Sequence, residues 1–103
     1  MKFCFQIQFS PDDDESARAR IGAGIARIVQ ESDQVVHSFG EQGDPPVTIT
    51  VQSIEPVLFW DAITPRLKAV PVNLIVVCEG EHGWDDYLLL HHFDEQQELD
   101  YLR

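Results

Sequence analysis

The sequence is short of basic residues, and this shortage excludes several kinds of partner. Its 103 residues include seven Lys and Arg against eighteen Asp and Glu, which gives a formal net charge of −11. An acidic excess of this size repels phosphate backbones and anionic lipid, so direct binding to nucleic acid or to a membrane surface is disfavoured. The same charge favours a basic protein as the partner.

Cysteines and long apolar runs are also scarce. Cys4 and Cys78 are the only cysteines, too few for a disulfide framework and without the spacing of a metal-binding pair. No apolar run approaches the roughly 20 residues that cross a bilayer, and the first residues do not form a signal-peptide core. We therefore expect a soluble, cytoplasmic protein.

What the chain does contain is enough apolar material for one core. Hydrophobic residues make up 44% and aromatic residues 10% of the sequence, which suits a single domain covering residues 1–103. Residues 2–9 alternate apolar and polar side chains, and this two-residue period predicts a strand with one buried face. Ser10, Pro11 and the following acids predict the start of a helix. Its apolar stripe consists of Ala17, Ile21, Gly24, Ile25, Ile28 and Val29.

The middle of the chain predicts a hairpin and a second helix. Residues 35–39 mix apolar and polar side chains, and the turn formers at 40–46 are interpreted as a loop that cannot continue a regular element. Residues 47–51 alternate again and predict a strand. The second helix begins near Glu55 and Pro56, and Pro65 is expected to bend or end it. The apolar face of this helix is predicted to comprise Phe59, Ile63, Leu67 and Val70.

The last third predicts two more strands joined by a turn. Residues 72–78 form an almost unbroken apolar strand, residues 79–83 a turn, and residues 87–93 a fifth strand. An alternative reading continues one helix from Trp84 to Leu102, because three successive leucines fit either state. Residues 94–103 have leucines at helical spacing and are expected to form a short terminal helix or a loose tail.

This order of elements predicts an α+β fold. Strand, helix, hairpin, helix and strand in succession give the two-layer ferredoxin-like (βαββαβ) sandwich, here with an additional fifth antiparallel strand and, in one of two alternatives for the tail, a short C-terminal helix. In such a fold both helices cover one face of the sheet. If Leu74 and Val76 face the helices, Ile75 and Val77 face away and form an apolar patch on the open face. That patch either pairs with a second copy of the chain or is covered by Leu99 and Leu102.

Charge is distributed unevenly along the chain. From residue 69 to residue 102 there is no Lys or Arg, and eight acids are interleaved with four aromatic residues, Trp84, Tyr87, Phe93 and Tyr101. Aromatic anchors beside charge are typical of protein interfaces. The residues predicted to bind a partner are Glu81, Trp84, Asp85, Asp86, Tyr87, Asp94 and Glu95.

Catalytic and metal sites are poorly supported. Only one segment combines imidazoles and carboxylates, the donors that suit zinc. The adjacent His91 and His92 would point to opposite faces of a strand, so no metal and no cofactor is expected. The remaining members of this cluster are His82, Asp85, Asp86 and Asp94. Neither cysteine has a neighbouring base in sequence, and both are interpreted as structural.

The composition and predicted architecture favour a non-enzymatic binding protein. The leading hypothesis is an acidic inhibitor of a basic protein partner, of the kind represented by bacterial immunity proteins and antitoxins, which is an analogy of size and charge. The alternative is a homodimeric ferredoxin-like regulatory or ligand-binding domain, in which the open sheet face pairs with a second copy and a small molecule binds at the edge. An enzyme that uses His91 and His92 ranks third.

Overall fold

Five strands and two helices follow one another along the chain. The computed structural model describes residues 3–10, 12–31, 36–43, 46–68, 72–80, 82–94 and 96–102. The strands are β1 (Phe3–Phe9), β2 (Val36–Gly43), β3 (Pro46–Ser53), β4 (Leu74–Gly80) and β5 (Gly83–His91), and the helices are α1 (Glu15–Glu31) and α2 (Pro56–Lys68). The expected α+β class is therefore confirmed.

The five strands form one antiparallel sheet in the order β2-β3-β1-β4-β5. β1 lies in the centre, where Ile7 pairs with Ile49 of β3 on one side and with Val76 of β4 on the other. Directly opposed residues of paired strands share a face of the sheet, and none of these three side chains has any exposed surface. The register thus places the centre of the core on one face of β1.

Both helices cover that same face. Ile21 and Ile25 of α1 and Phe59 and Ile63 of α2 belong to one buried cluster with the inward residues of the strands. The rings of Phe5 and Phe59 meet edge to face with centroids 5.2 Å apart, a favoured aromatic geometry. The opposite side of the sheet has no helix among the described residues, and we call it the helix-free face.

The alternation predicted for β4 is confirmed by its burial. Leu74, Val76 and Cys78 have no exposed surface, whereas Ile75 and Val77 are only partly buried. A side-chain period of two sends successive residues to opposite faces, so the first three face the helices and the other two lie on the helix-free face.

Helix α1 begins later than the sequence suggested. The N-terminal cap is Asp14, whose Oδ2 accepts the N–H of Ala17 at 3.1 Å, and the first helical residue is Glu15. Ser10 instead accepts the N–H of Asp12 through its Oγ at 3.3 Å, a local bond that competes with helix formation. Pro11, expected at the first helical position, lies outside the described residues.

Two expected breaks in regular structure are absent, a loop at residues 40–43 and an end of α2 at Pro65. β2 runs through Gly40 and Glu41 to Gly43, although these residues were interpreted as a loop. β2 is an edge strand, where weak strand formers are tolerated because only one side must pair. Similarly, Pro65 lies inside α2 and does not end it. Val70, predicted for the apolar face of α2, lies outside the described residues.

Residues 84–102 do not form the alternative continuous helix. β5 occupies residues 83–91, and no helix occurs among the described tail residues 92–94 and 96–102. Asp94 makes a local turn by accepting the N–H groups of Gln96 at its Oδ1 and Gln97 at its backbone oxygen, each at 3.0 Å. The N–H of Asp100 then donates to the carbonyl of Leu89 at 2.8 Å, which holds the tail against β5 in place of a short terminal helix.

Candidate functional site

β5 contains a large bulge that projects from the end of the sheet. Cys78 pairs with Leu88 and Gly80 pairs with Gly83. Between these two pairs, Glu79 alone on β4 faces the four residues 84–87 on β5. A bulge leaves the extra residues without ladder partners and redirects their side chains. Trp84 and Tyr87 are consequently exposed on 42% and 55% of their surface.

The carboxylate of Asp86 links the bulge to the preceding turn. Its Oδ1 accepts the N–H of His82 at 2.8 Å, and its Oδ2 lies 3.0 Å from Nδ1 of the same residue. These hydrogen bonds, led by the one from the backbone of His82, lower the pKa of the Asp86 carboxyl. A side chain on Gly80 would collide with the backbone oxygen of Asp86, so the close approach of the bulge to β4 requires glycine at position 80.

The bulge forms one wall of a groove on the helix-free face. The floor of this groove is aliphatic, its wall carries Trp84 and Tyr87, and the start of the tail closes its far end. We call it the aromatic groove, with a volume of about 370 Å³. The residues of the floor and the far end are Ile75, Val77, Leu89, His92 and Gln97.

Away from the aromatic groove, the helix-free face carries uncharged polar side chains on β1, β2 and β3, and the carboxylate of Glu79 on β4. Gln8 donates through its Nε2 to Oε1 of Gln6 at 3.2 Å, and the hydroxyl of Ser38 donates to Oε1 of Gln52 at the same distance. These side chains belong to β1, β2 and β3. The apolar surface of this face is therefore concentrated over β4 and β5, in the aromatic groove.

Positive charge is confined to the helical layer among the described residues. Three described Arg residues lie on α1, and one Arg and one Lys lie on α2. They are Arg18, Arg20, Arg27, Arg66 and Lys68. The described residues of the sheet and of the tail include no Lys or Arg, so acids alone supply the formal charge around the aromatic groove, before the histidines are considered.

Among the described side chains, the histidines at 82, 91 and 92 do not converge on a metal site. His82 contacts Asp86, and Nδ1 of His92 accepts the N–H of Asp94 at 3.0 Å. His91 lies on the other side of β5, where burial first and then the charge of Lys68 lower its pKa. No group of three or more potential ligands occurs within the described part of the chain.

The tail connects the aromatic groove with a second groove beside α2. Gln97 lines the aromatic groove, whereas Leu99 and Leu102 line the second one, which is about 360 Å³. Between them, Asp100 is held at both backbone groups of Leu89. Its N–H donates to the Leu89 carbonyl and its Oδ2 accepts the Leu89 N–H, both at 2.8 Å. Leu99 and Leu102, considered as a cover for Ile75 and Val77, therefore lie beside α2 and not over that patch.

Neither cysteine has the environment of a nucleophile. Cys78 has no exposed surface, and burial, together with the charge of Glu79, raises its pKa to about 12. Burial also raises the pKa of Cys4, whose N–H donates to Oε1 of Glu79 at 3.0 Å. A thiolate is the reactive form of cysteine, and both environments disfavour it.

The structure brings together some of the residues predicted to bind a partner. Trp84 and Tyr87 share the aromatic groove, and the exposed Asp85 lies between them in the bulge. Asp94 lies at the far end through its contact with His92. Asp86 is exposed, but both of its carboxylate oxygens contact His82. Glu81 and Glu95 lie outside the described residues.

Sequence reasoning treated this site as two separate features. The patch at Ile75 and Val77 is expected either to pair with a second copy or to be covered by the tail, and Trp84 and Tyr87 are expected to bind a partner. The bulge unites them by placing both aromatic side chains against the patch. Leu89 is part of the predicted apolar fifth strand. Nothing in the sequence pattern places His92 and Gln97 in the same groove as Trp84.

Comparisons with protein-family models, with curated proteins and with solved structures gave no match. Within the described residues, no helix is long and apolar enough to cross a bilayer.

Proposed function

We propose that this chain is a non-enzymatic binding protein that inhibits a basic protein partner, as bacterial immunity proteins and antitoxins do. One observation carries the proposal. Two large aromatic side chains, Trp84 and Tyr87, are exposed in a groove on a face without any described Lys or Arg. Desolvated aromatic anchors contribute most of the affinity in protein interfaces, and the surrounding acids attract a cationic surface.

The charge distribution favours a basic partner over a second copy of the chain. Pairing two helix-free faces would bring Asp85 and Asp94 of one copy towards the acids of the other, and the whole chain carries −11. Like charges opposed across an interface cost binding free energy. We therefore expect a monomer in the absence of the partner, and a stable homodimer that buries Trp84 would favour the alternative of a dimeric regulatory domain.

We also propose a ferredoxin-like topology and a cytoplasmic location for this protein. The order of the first four strands, with β1 between β3 and β4, supports a ferredoxin-like arrangement extended by β5. The two free, buried cysteines suit a reducing compartment and support a cytoplasmic site of action. Both assignments are separate from the choice of partner.

The test uses the products of the genes adjacent to this one, because inhibitors are often encoded beside their targets. Each product is expressed alone and together with this protein, and growth is recorded. We expect one basic product to arrest growth and this protein to restore it. Absence of any neutralised or bound basic neighbour, together with a stable homodimer in sedimentation, would contradict the proposal.

Binding of the purified pair then tests the groove. Trp84→Ala should weaken the complex by at least about 2 kcal/mol if Trp84 is a principal anchor. Leu58→Ala is the matched control, because Leu58 is 58% exposed but lies on α2 at the other side of the sheet. Association should also slow as salt rises, since the Debye length falls from about 30 Å at 0.01 M to about 8 Å at 0.15 M.

A further inference from the structure

The size of the aromatic groove limits which part of a partner can bind in it. A volume of about 370 Å³ is near the lower end of ligand pockets, which range from about 300 to 1,000 Å³. A helix with its side chains is about 10–12 Å wide, and its whole apolar face needs a longer channel. The groove therefore suits one or two inserted side chains of a partner better than a docked helix.

The chemistry of the groove specifies the kind of side chain. Ile75, Val77 and Leu89 offer an aliphatic floor, and Trp84 and Tyr87 offer aromatic surfaces. Lysine and arginine have apolar stems and a charged head, and the face of tryptophan is the best aromatic partner for such a head. We propose that the aromatic groove seats an arginine side chain presented by the basic partner, an inference that rests on the proposed function.

Arginine fits this groove better than lysine for two reasons. Its planar guanidinium stacks on aromatic rings and is less strongly hydrated than an ammonium group, so it loses less on entering the groove. It also pairs with carboxylates through a fork of N–H donors. Asp85 is exposed and follows Trp84 in the bulge, whereas the carboxylate of Asp86 is already engaged by His82.

A neutral apolar side chain from the partner would contact the aliphatic floor but would not interact with the negative charge nearby. It would leave Asp85 without a partner and would gain nothing from the absence of described cations on this face. The two occupants are therefore distinguished by the response to removing charge at constant shape. Citrulline is the uncharged analogue of arginine with nearly the same size, and norleucine is an apolar analogue of the lysine stem.

The test uses four short blocked peptides of Gly and Ser with one central arginine, lysine, citrulline or norleucine. Binding is followed by NMR through the indole N–H of Trp84 and the methyl groups of Val77 and Leu89. We expect the arginine peptide to bind about 2- to 30-fold more tightly than the citrulline peptide, the range set by cation–π attraction. Trp84→Ala should abolish this preference, and Leu58→Ala should leave it unchanged.

Asp85→Asn separates the carboxylate from the ring. It should reduce the affinity for the arginine peptide and leave that for the norleucine peptide unchanged. Equal binding of the arginine and citrulline peptides, or tighter binding of norleucine, would overturn the arginine assignment.

The outcomes also separate this inference from the proposed function. If no peptide shifts the Trp84 signal but Trp84→Ala still disrupts the complex with the partner protein, the arginine assignment fails and the proposed function stands. If the arginine peptide binds as expected but no basic partner is inhibited, the groove is a guanidinium site and the proposed function fails.

Discussion

The carboxylate of Asp86 holds His82 at two points, with its Oδ1 accepting the backbone N–H at 2.8 Å and its Oδ2 lying 3.0 Å from the ring Nδ1. These contacts close the turn that precedes the bulge of β5. Because Trp84 and Tyr87 lie in that bulge, the pair fixes the wall of the aromatic groove from a position outside it. Disturbing Asp86 should therefore alter the groove without changing any side chain that lines it.

Acid should release this contact. The Asp86 carboxyl has a pKa below its ordinary value of 3.8, mainly because the His82 N–H donates to it. A lowered folded-state pKa means that the stabilisation is complete above the ordinary pKa and is lost as pH falls through the folded value. We expect the amide signal of His82 and the indole signal of Trp84 to shift together below about pH 4. Asp86→Ala should remove that shared transition, whereas Asp12→Ala should retain it.

Gly80 should be essential to the same bulge. A Cβ at this position would overlap the backbone oxygen of Asp86, so Gly80→Ala must push the bulge away from β4. We expect a loss of about 1–3 kcal/mol in the free energy of unfolding, as for other overpacked sites, and a displaced Trp84 indole signal. Gly40→Ala is the control, because a Cβ there meets nothing within 4 Å. An unchanged Trp84 signal in Gly80→Ala would show that the bulge does not depend on this approach.

The regular parts of the fold were predictable because their patterns are local. Alternation identified β1 and β3, a nearly continuous apolar run identified β4, and helical spacing identified Ile21 and Phe59 as core residues. The predictions failed where residues far apart in the sequence determine the local structure. Gly40 and Glu41 continue a strand because β3 pairs with them, and Pro65, expected to bend or end α2, does not end it.

The site was harder to predict than the fold. Aromatic residues among acids were visible in the sequence, but the bulge was not, since it depends on one glycine meeting a backbone oxygen six residues later. Nor does the sequence show that the tail turns towards β5. That path depends on Asp100 bonding to the edge of a strand eleven residues earlier.

Asp100 should stabilise the tail and the edge of β5 together. Its Oδ2 accepts the N–H of Leu89 at 2.8 Å. In Asp100→Ala this N–H, at the edge of the sheet, can bond only to water. We expect a loss of roughly 0.5–1.5 kcal/mol, typical of one hydrogen bond, and faster hydrogen exchange at the Leu89 amide. Glu98→Ala is the matched control, because Glu98 is an exposed tail acid with no side-chain hydrogen bond among the described residues. Equal exchange rates in the two variants would contradict a specific role for Asp100.

Arg18 should be replaceable with a gain in stability. The residue is only 6% exposed, and its Nε has no hydrogen-bond partner within the described part of the chain. A buried polar group without a partner costs about 1–3 kcal/mol, and methionine keeps a similar stem and helix propensity. We therefore expect Arg18→Met to raise the free energy of unfolding, measured by denaturant titration. Arg20→Met removes the same charge from an exposed position of α1 and controls for net charge. If both variants change stability equally, the effect comes from overall charge and not from the buried guanidinium.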